Sequence, residues 1–252
     1  IVVVDDGSND GTGSVARENG ARLVRHSTSL GNGGAIKAGA RAAENDYIVF
    51  MDGDGQHQAD DIPAMIEHLE IQGADMVVGA RDESGQASFA RRLANGFYNR
   101  FASVVTGQSI RDLTSGFRIV RRELFLKYLY LLPNGFSYPT TITMAFLRGG
   151  HQVSFLPVTV LRREGQSNIK PLRDGVRFLL IIFKVGTLYS PLKVFFPIAV
   201  VHFILGLVRY AYTYIEMGSF TNMSALLFVT SVHIFLVGLV SEQITTLMYK
   251  ET

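Results

Sequence analysis

Two apolar runs close the sequence, residues 194–215 and 223–248, and they constrain the fold more than any other feature. Each is close to the ~20 residues that carry a helix across the hydrocarbon core of a bilayer. A soluble domain seldom keeps two such runs at one end, so they read as a transmembrane hairpin rather than as two buried core helices. Charged residues thin out before Ser190 and nearly vanish after it, which is the change in composition from an aqueous domain to membrane helices. Just ahead of the first run, Arg173, Arg177 and Lys184 are set among Phe178, Leu179, Ile181, Ile182 and Phe183, as in a helix lying on a membrane surface. Three parts follow: an aqueous domain over 1–170, an interfacial amphipathic helix over 171–192 and the hairpin over 193–252. Arg173, Arg177, Lys184 and Lys193 precede the first span and Lys250 follows the second, while the turn over 216–222 has no basic residue. The positive-inside rule therefore turns both flanks, and the aqueous domain with them, toward the cytoplasm. Arg209, toward the far end of the first span, is accommodated if it snorkels. His202 and His233 lie inside the spans without a carboxylate to pair with, and hydrogen bonding from helix to helix is the expected use of each.

The aqueous part alternates short apolar strands with amphipathic helices, the pattern of an α/β layer with a mostly parallel sheet. Strands are expected at 1–4, 22–25, 47–51 and 76–79, with helices at 11–19, 33–43 and 60–72 between them. The last of these carries Pro63 in its first turn and Ile62, Ile66 and Leu69 on one face. A helix over 89–106, a loop holding residues 112–118, helices near 122–131 and 140–148, and a strand over 152–161 complete the domain. Ligands of open α/β sheets bind at the carboxyl ends of strands, and Asp5, Asp6, Asp52, Asp54 and Arg81 all fall there.

The sequence has no cysteine, which excludes disulfides, thiolate metal sites and cysteine nucleophiles. Its formal net charge of +2 is too small to point to nucleic acid. Residues 1–4 form a short apolar run ending in two aspartates, unlike the basic and long apolar regions of a signal peptide. The sharpest local motif is Asp52-Gly53-Asp54-Gly55-Gln56-His57, at the end of an apolar strand. Two carboxylates separated by a glycine can present oxygen ligands to a hard divalent cation beside a diphosphate, although such pairs are also common in plain turns. The later glutamate of an EF-hand loop is missing. Asp5-Asp6-Gly7-Ser8-Asn9-Asp10-Gly11-Thr12 reads either as a helix cap or as an acidic strand end that holds a base or ribose. Gly31-Asn32-Gly33-Gly34 lacks the Lys-Ser/Thr ending of a phosphate-binding loop and reads as a tight turn into a helix. Asp112-Leu113-Thr114-Ser115-Gly116-Phe117-Arg118 suits an anionic or hydroxylic acceptor, or an ordinary loop ion pair. Arg162-Arg163-Glu164-Gly165-Gln166-Ser167-Asn168 is a basic loop that could equally attract anionic head groups.

Taken in order, the four motifs other than the glycine turn resemble the inverting family 2 glycosyltransferases of the GT-A fold, in the branch of dolichyl-phosphate mannose synthases and bacterial polyprenyl-phosphate glycosyltransferases. The resemblance runs from Ile1 to about Pro197. It implies a nucleotide-sugar-binding GT-A domain and transfer of a sugar from a UDP- or GDP-sugar to a polyprenyl-phosphate lipid, with inversion. Asp5 and Asp6 would contact the nucleoside. Asp52, Gly53, Asp54 and Arg81 would hold the donor, and Asp52, Asp54 and Gln56 would bind Mg2+ or Mn2+. Asp112 and Arg118 would be the catalytic pair on the acceptor side, Ser115, Arg91 and Arg92 would meet the acceptor phosphate, and Arg162 and Ser167 would close over the donor phosphates. Asn168 stands where the family loop has lysine, a role that Lys170 could take over. Family members also open with a strand and a Pro-x-Tyr-Asn-Glu-like motif, so the expectation is a domain lacking its first strand. The implied setting is an integral membrane protein of a bacterial or archaeal inner membrane, and a homo-oligomer is compatible with it. A processive polysaccharide synthase would carry a Gln-x-x-Arg-Trp motif, and the sequence has no tryptophan. A non-catalytic membrane scaffold derived from this fold would not need Asp52, Asp54, Gln56, Arg81 and Arg118 together.

Overall fold

A computed structural model of the chain describes residues 1–81, 89–135, 138–161, 180, 183–184 and 186–249, with backbone alone for 89–95. It forms two units, Ile1–Ile169 and Lys170–Glu251. The first unit runs β1 (Val2–Asp5), α1 (Thr12–Glu18), β2 (Arg22–Arg25), α2 (Asn32–Ala42), β3 (Tyr47–Phe50), α3 (Ile62–Gln72), β4 (Met76–Arg81), α4 (Phe89–Thr106), β5 (Arg118–Arg121), α5 (Arg122–Lys127), α6 (Tyr138–Arg148) and β6 (Val153–Val158). Strands β1 and β2 pair in parallel as a two-stranded sheet, and the other four form a sheet of order β3-β5-β4-β6. Only β5 runs against its neighbours in that sheet, antiparallel to both β3 and β4, while β4 and β6 are parallel.

The core follows from the strand alternation. Val77 on β4, Ile119 on β5 and Val158 on β6 meet Met65, Leu69, Ala74 and Phe117 in one buried cluster. Helix α3 starts with Pro63 in its first turn and stops at Gly73, whose φ of 60° is the left-handed C-cap that a Cβ disfavours. Its inward face differs from the expected one: Met65 is fully buried and Ile66 is 40 % exposed. The sheet takes the row of Met65 and Leu69, so Ile66 turns away by one helical position. Strand β5 was not expected at all. Its Arg-Ile-Val-Arg sequence is only four residues long and does not alternate, and the anticipated 122–131 helix divides into α5 and a 3-10 turn, Leu129–Leu131.

Among the described residues β1 pairs only with β2, and β3 only with β5. Residues of both strands line a cavity of about 410 Å³, with Ala35, Ile36 and Gly39 of α2 on another wall and Asp52 and Gly53 at one end.

The second unit contains α7 (Pro191–Met217) and α8 (Asn222–Met248), 27 residues each. At 1.5 Å per residue each is about 40 Å long, more than the ~30 Å hydrocarbon core. Both are apolar enough to cross a membrane. Small residues seven apart make their seam: Ala199, Gly206 and Thr213 on α7, and Ser224, Ser231, Gly238 and Thr245 on α8, are buried. A Cβ on Gly238 would stand 2.6 Å from the Cβ of Phe195, so the backbones approach as closely as glycine allows. The Ser231 hydroxyl donates to the Ala199 carbonyl at 2.8 Å. Glu242 of α8 accepts from the Leu192 N–H at 3.1 Å and the Ser190 hydroxyl at 3.2 Å, placing an anion at the start of α7. The two histidines depart from expectation. Each turns Nδ1 to a carbonyl of its own helix, His202 to Ile198 at 2.9 Å and His233 to Val229 at 2.8 Å. The backbone carbonyl four residues earlier lies within reach of a short side chain, whereas the close seam admits only small residues. Most of the expected interfacial helix lies outside the described residues.

Candidate active site

The chain leaves β3 at Phe50 and turns at once through Asp52-Gly53-Asp54-Gly55, with Gly55 at φ 71°. Asp52 accepts no hydrogen bond from any described residue, and the backbone of Gly116 lies directly on it. A Cβ at Gly116 would stand 2.7 Å from Asp52 Oδ2. The loop over 112–118 thus rests on the carboxylate at the end of β3, which brings two of the motifs into one place. Asp54 is exposed and accepts from the Gln56 N–H at 3.2 Å. Gln56 donates its side-chain amide to the Leu161 carbonyl at 3.3 Å, and its own carbonyl accepts from the Leu161 N–H at 2.9 Å. That leaves its amide oxygen uncommitted.

His57 is a site residue that motif reasoning passed over. Its ring stacks on Phe117 at 4.8 Å, and its Nδ1 is buried without a hydrogen bond. Burial is the main cause that holds the imidazole below its ordinary pKa, against the opposing pull of Asp52 and Asp54. A histidine closing an Asp-x-Asp-x-Gln-His string was the available signal.

Arg81 and Asp112, expected on opposite sides of the reaction, are bound to each other. Arg81 Nε donates to Asp112 Oδ2 at 2.7 Å, and a terminal nitrogen donates to Oδ1 at 3.0 Å. Asp112 also accepts from the N–H groups of Arg81, Thr114 and Ser115 and from the Thr114 hydroxyl. Burial raises the Asp112 pKa, but the Arg81 hydrogen bond and charge outweigh it and the carboxyl lies below the usual range. A carboxylate saturated in this way orders the loop and is poorly suited to take a proton. The contacts of Asp112, expected as a catalytic residue on the acceptor side, favour ordering of the loop over proton transfer.

Arg118 also differs from expectation. It is fully buried, donating to the Pro139 carbonyl and the Thr143 hydroxyl at 3.1 Å each and to the Ser115 carbonyl, with its guanidinium 5.6 Å from the Tyr138 ring centre. It braces the loop from beneath through the Ser115 carbonyl. Ser115 is buried too, and its hydroxyl has no hydrogen-bond partner.

At the ends of β1 and β2 the two aspartates part ways. Asp6 accepts from His26 Nδ1 at 2.7 Å, the Ser29 hydroxyl at 2.7 Å, and the N–H groups of Leu30 and Gly31 at 2.9 and 2.8 Å. Burial pushes its pKa up, yet His26 and these donors hold it well below the carboxylate range. Asp6 therefore ties down the following loop, with both of its oxygens engaged in hydrogen bonds. Asp5 accepts from the Ser8 N–H at 2.7 Å through Oδ1, while its buried Oδ2 has no hydrogen bond, with Arg25 at 3.4 Å and Gly13 packed against it. Of the pair, Asp5 keeps one oxygen without a hydrogen bond, and that oxygen is buried.

The glycine turn is explained by packing. A Cβ at Gly33 would stand 2.0 Å from the Pro133 carbonyl oxygen, and the Gly34 N–H donates to the Asn134 carbonyl at 2.9 Å. The start of α2 is a seat for the 133–135 backbone, in agreement with a turn and not with a phosphate cradle. Arg91 and Arg92 fall on the first turn of α4, with side chains outside the described residues; Arg162, Ser167, Asn168 and Lys170 lie outside them altogether.

No group of three His, Cys, Asp or Glu side chains among the described residues could by itself hold a metal ion. The donor set is instead two carboxylates, Asp52 wholly unpartnered and Asp54 with one oxygen used, beside the free amide oxygen of Gln56. That set fits a hard cation of the Mg2+ or Mn2+ kind, which commonly takes one or two protein carboxylates and completes its shell with substrate phosphates and water.

Comparison with known proteins gives the same organisation. The sequence model described as Glycosyl transferase family 2 matches residues 1–129, and that described as GtrB C-terminal hairpin matches residues 190–247. The chain is 30 % identical over 262 residues to Glycosyltransferase AglJ of Haloferax volcanii, covering 98 % of this chain and 85 % of that protein. It is 28 % identical to Undecaprenyl-phosphate mannosyltransferase of Micrococcus luteus, over 67 % of this chain and 75 % of the relative. Its backbone resembles glucosyl-3-phosphoglycerate synthase from Mycobacterium tuberculosis, solved with Mn2+, uridine diphosphate and product, with a TM-score of 0.56 over 73 % of this chain and 66 % of that one. At 19 % identity this last likeness speaks for the shared fold alone.

Proposed function

The chain belongs to glycosyl transferase family 2, and from that premise we propose that it moves a sugar from a nucleotide-sugar donor to a polyprenyl phosphate at the cytoplasmic face of a membrane, with inversion at the anomeric carbon. The observation that carries the reading is the Asp52 carboxylate, free of protein partners at a strand end and roofed by the backbone of the 112–118 loop. The matched hairpin and the names of the relatives support a lipid-linked acceptor.

Asp52 and Asp54, with Gln56, would hold Mg2+ or Mn2+, which would supply neutralisation of the charge on the departing nucleoside diphosphate. Asp5 and Asp6 keep the nucleoside role that the family resemblance implies. A lipid phosphate is already an anion, so it attacks the anomeric carbon without a strong base, and the saturation of Asp112 is compatible with that. Arg81 and Asp112 together fix the 112–118 loop over the donor, and Arg118 supports the same loop through the Ser115 carbonyl. Rate enhancement then rests on alignment of the two reactants and on charge placed in advance. Arg162 and Ser167 keep the donor-phosphate role, and Arg91 and Arg92 the acceptor-phosphate role, that the family resemblance implies. Cytoplasmic orientation is supported by Lys193 and Lys250 flanking the hairpin and by a turn that lacks basic residues.

The test is incubation of membranes containing the full chain with labelled UDP- and GDP-hexoses and either undecaprenyl or dolichyl phosphate. Label passing into the lipid phase from one donor, with the opposite anomeric configuration to that donor, is expected. Label appearing only on a soluble acceptor would overturn the proposal.

A further inference from the structure

We propose that the back of helix α8 is a self-association surface on which a second copy of this chain docks within the membrane, through hydrogen bonds between Thr230 and His233. This rests on the reading of α7 and α8 as membrane spans. The inner face of α8 is used up by the seam with α7. Its opposite face exposes Leu226, Val229, Leu236, Val237 and Val240, a surface suited to lipid, with one exception. His233 is exposed in its midst. Because Nδ1 meets the Val229 carbonyl at 2.8 Å, that nitrogen carries the proton and Nε2 presents a lone pair outward, with no described residue to meet it. His233 is 11 residues from Asn222 and 15 from Met248, about 17 and 23 Å along the helix. Centring a ~30 Å hydrocarbon layer on the helix leaves the ring about 12 and 18 Å below the two surfaces, beyond the reach of so short a side chain. A bare acceptor at that depth is costly unless another protein group meets it.

The matching donor is on the same face. Thr213, Thr245 and Thr246 of the hairpin each donate a hydroxyl to the carbonyl four residues earlier. Thr230, partly exposed and three residues before His233, makes no such bond, and its hydroxyl has no partner among the described residues. A patch holding one unused donor and one unused acceptor is self-complementary, which is what a two-fold interface between identical chains requires. In that pair the Thr230 hydroxyl donates to Nε2 of the partner subunit's His233, and the reverse bond forms by symmetry.

The chain has no cysteine, so single cysteines report without background. The full chain is reconstituted in phosphatidylcholine and phosphatidylglycerol vesicles and oxidised. Val229→Cys and Val237→Cys should give disulfide-linked dimers and Ser231→Cys, which faces α7, should not. In a fluorescence energy-transfer titration against protein-to-lipid ratio, the near-isosteric Thr230→Val and the exposed His233→Leu should each weaken association roughly 3- to 20-fold. An inserted chain that stays monomeric at every density, or variants that associate like the wild type, would overturn the proposal. A chain that does not insert into the vesicles would overturn the membrane reading beneath it.

Discussion

At the scale of single residues, two contacts decide how the site is built. Gly116 is pressed against Asp52, so Gly116→Ala should push a methyl group to within 2.7 Å of the carboxylate oxygen. The loop must then shift, and sugar transfer is expected to fall at least ~10-fold while the thermal unfolding temperature drops little, because the misplacement is local. A variant with unaltered turnover would show that the loop has no part in aligning the reactants. The Arg81–Asp112 pair is the second contact. Asp112→Asn leaves Arg81 without its charge partner and should lower stability by about 2–3 kcal/mol at pH 7, read as a shift in denaturant midpoint. The folded carboxyl has a depressed pKa, so its contribution is present above the ordinary carboxylate value of about 3.9 and is lost as pH falls through the folded value. The gap between wild type and variant should therefore close in strong acid. A gap independent of pH would assign the loss to packing instead of charge.

At the scale of elements, the clearest dependence is α2 on the 133–135 segment. Gly33→Ala would bring a Cβ to 2.0 Å from a backbone oxygen that cannot rotate away, so α2 or the segment must move. A loss of about 2–4 kcal/mol is expected in equilibrium unfolding, whereas Gly53→Ala, with open space around it, should be tolerated for stability. Equal effects of the two substitutions would contradict this packing account. The same segment shows what a sequence can and cannot disclose. Strands β1 to β4 and helices α1 to α3 were legible because apolar periodicity and glycine or proline punctuation agree along them. Strand β5 was not, because four residues flanked by a polar loop and a helix carry too little periodicity, and what makes them a strand is the vacancy between β3 and β4. The sharing of work between Asp5 and Asp6, and the pairing of Arg81 with Asp112, were likewise hidden. Asp6 and Arg81 are held by partners 20 to 31 residues distant, which motif spacing does not register.

At the scale of the whole molecule, the chain joins an aqueous nucleotide-sugar domain to a hairpin long enough to cross a bilayer. Carbonate washing at high pH should leave the full chain in the membrane pellet, and release into the supernatant would contradict the reading of α7 and α8 as spans. The central claim is that the Asp52 carboxylate works with a divalent cation to pass a sugar to a lipid phosphate. Its most direct test is the rate of label transfer into polyprenyl phosphate by the wild-type chain and by Asp52→Asn, each measured with EDTA and again after Mg2+ or Mn2+ is restored. The account predicts transfer by the wild type that EDTA abolishes and metal restores, and a loss of ~100-fold or more in Asp52→Asn under all conditions. Lipid labelling that persists in EDTA, or that Asp52→Asn carries out at the wild-type rate, would contradict it.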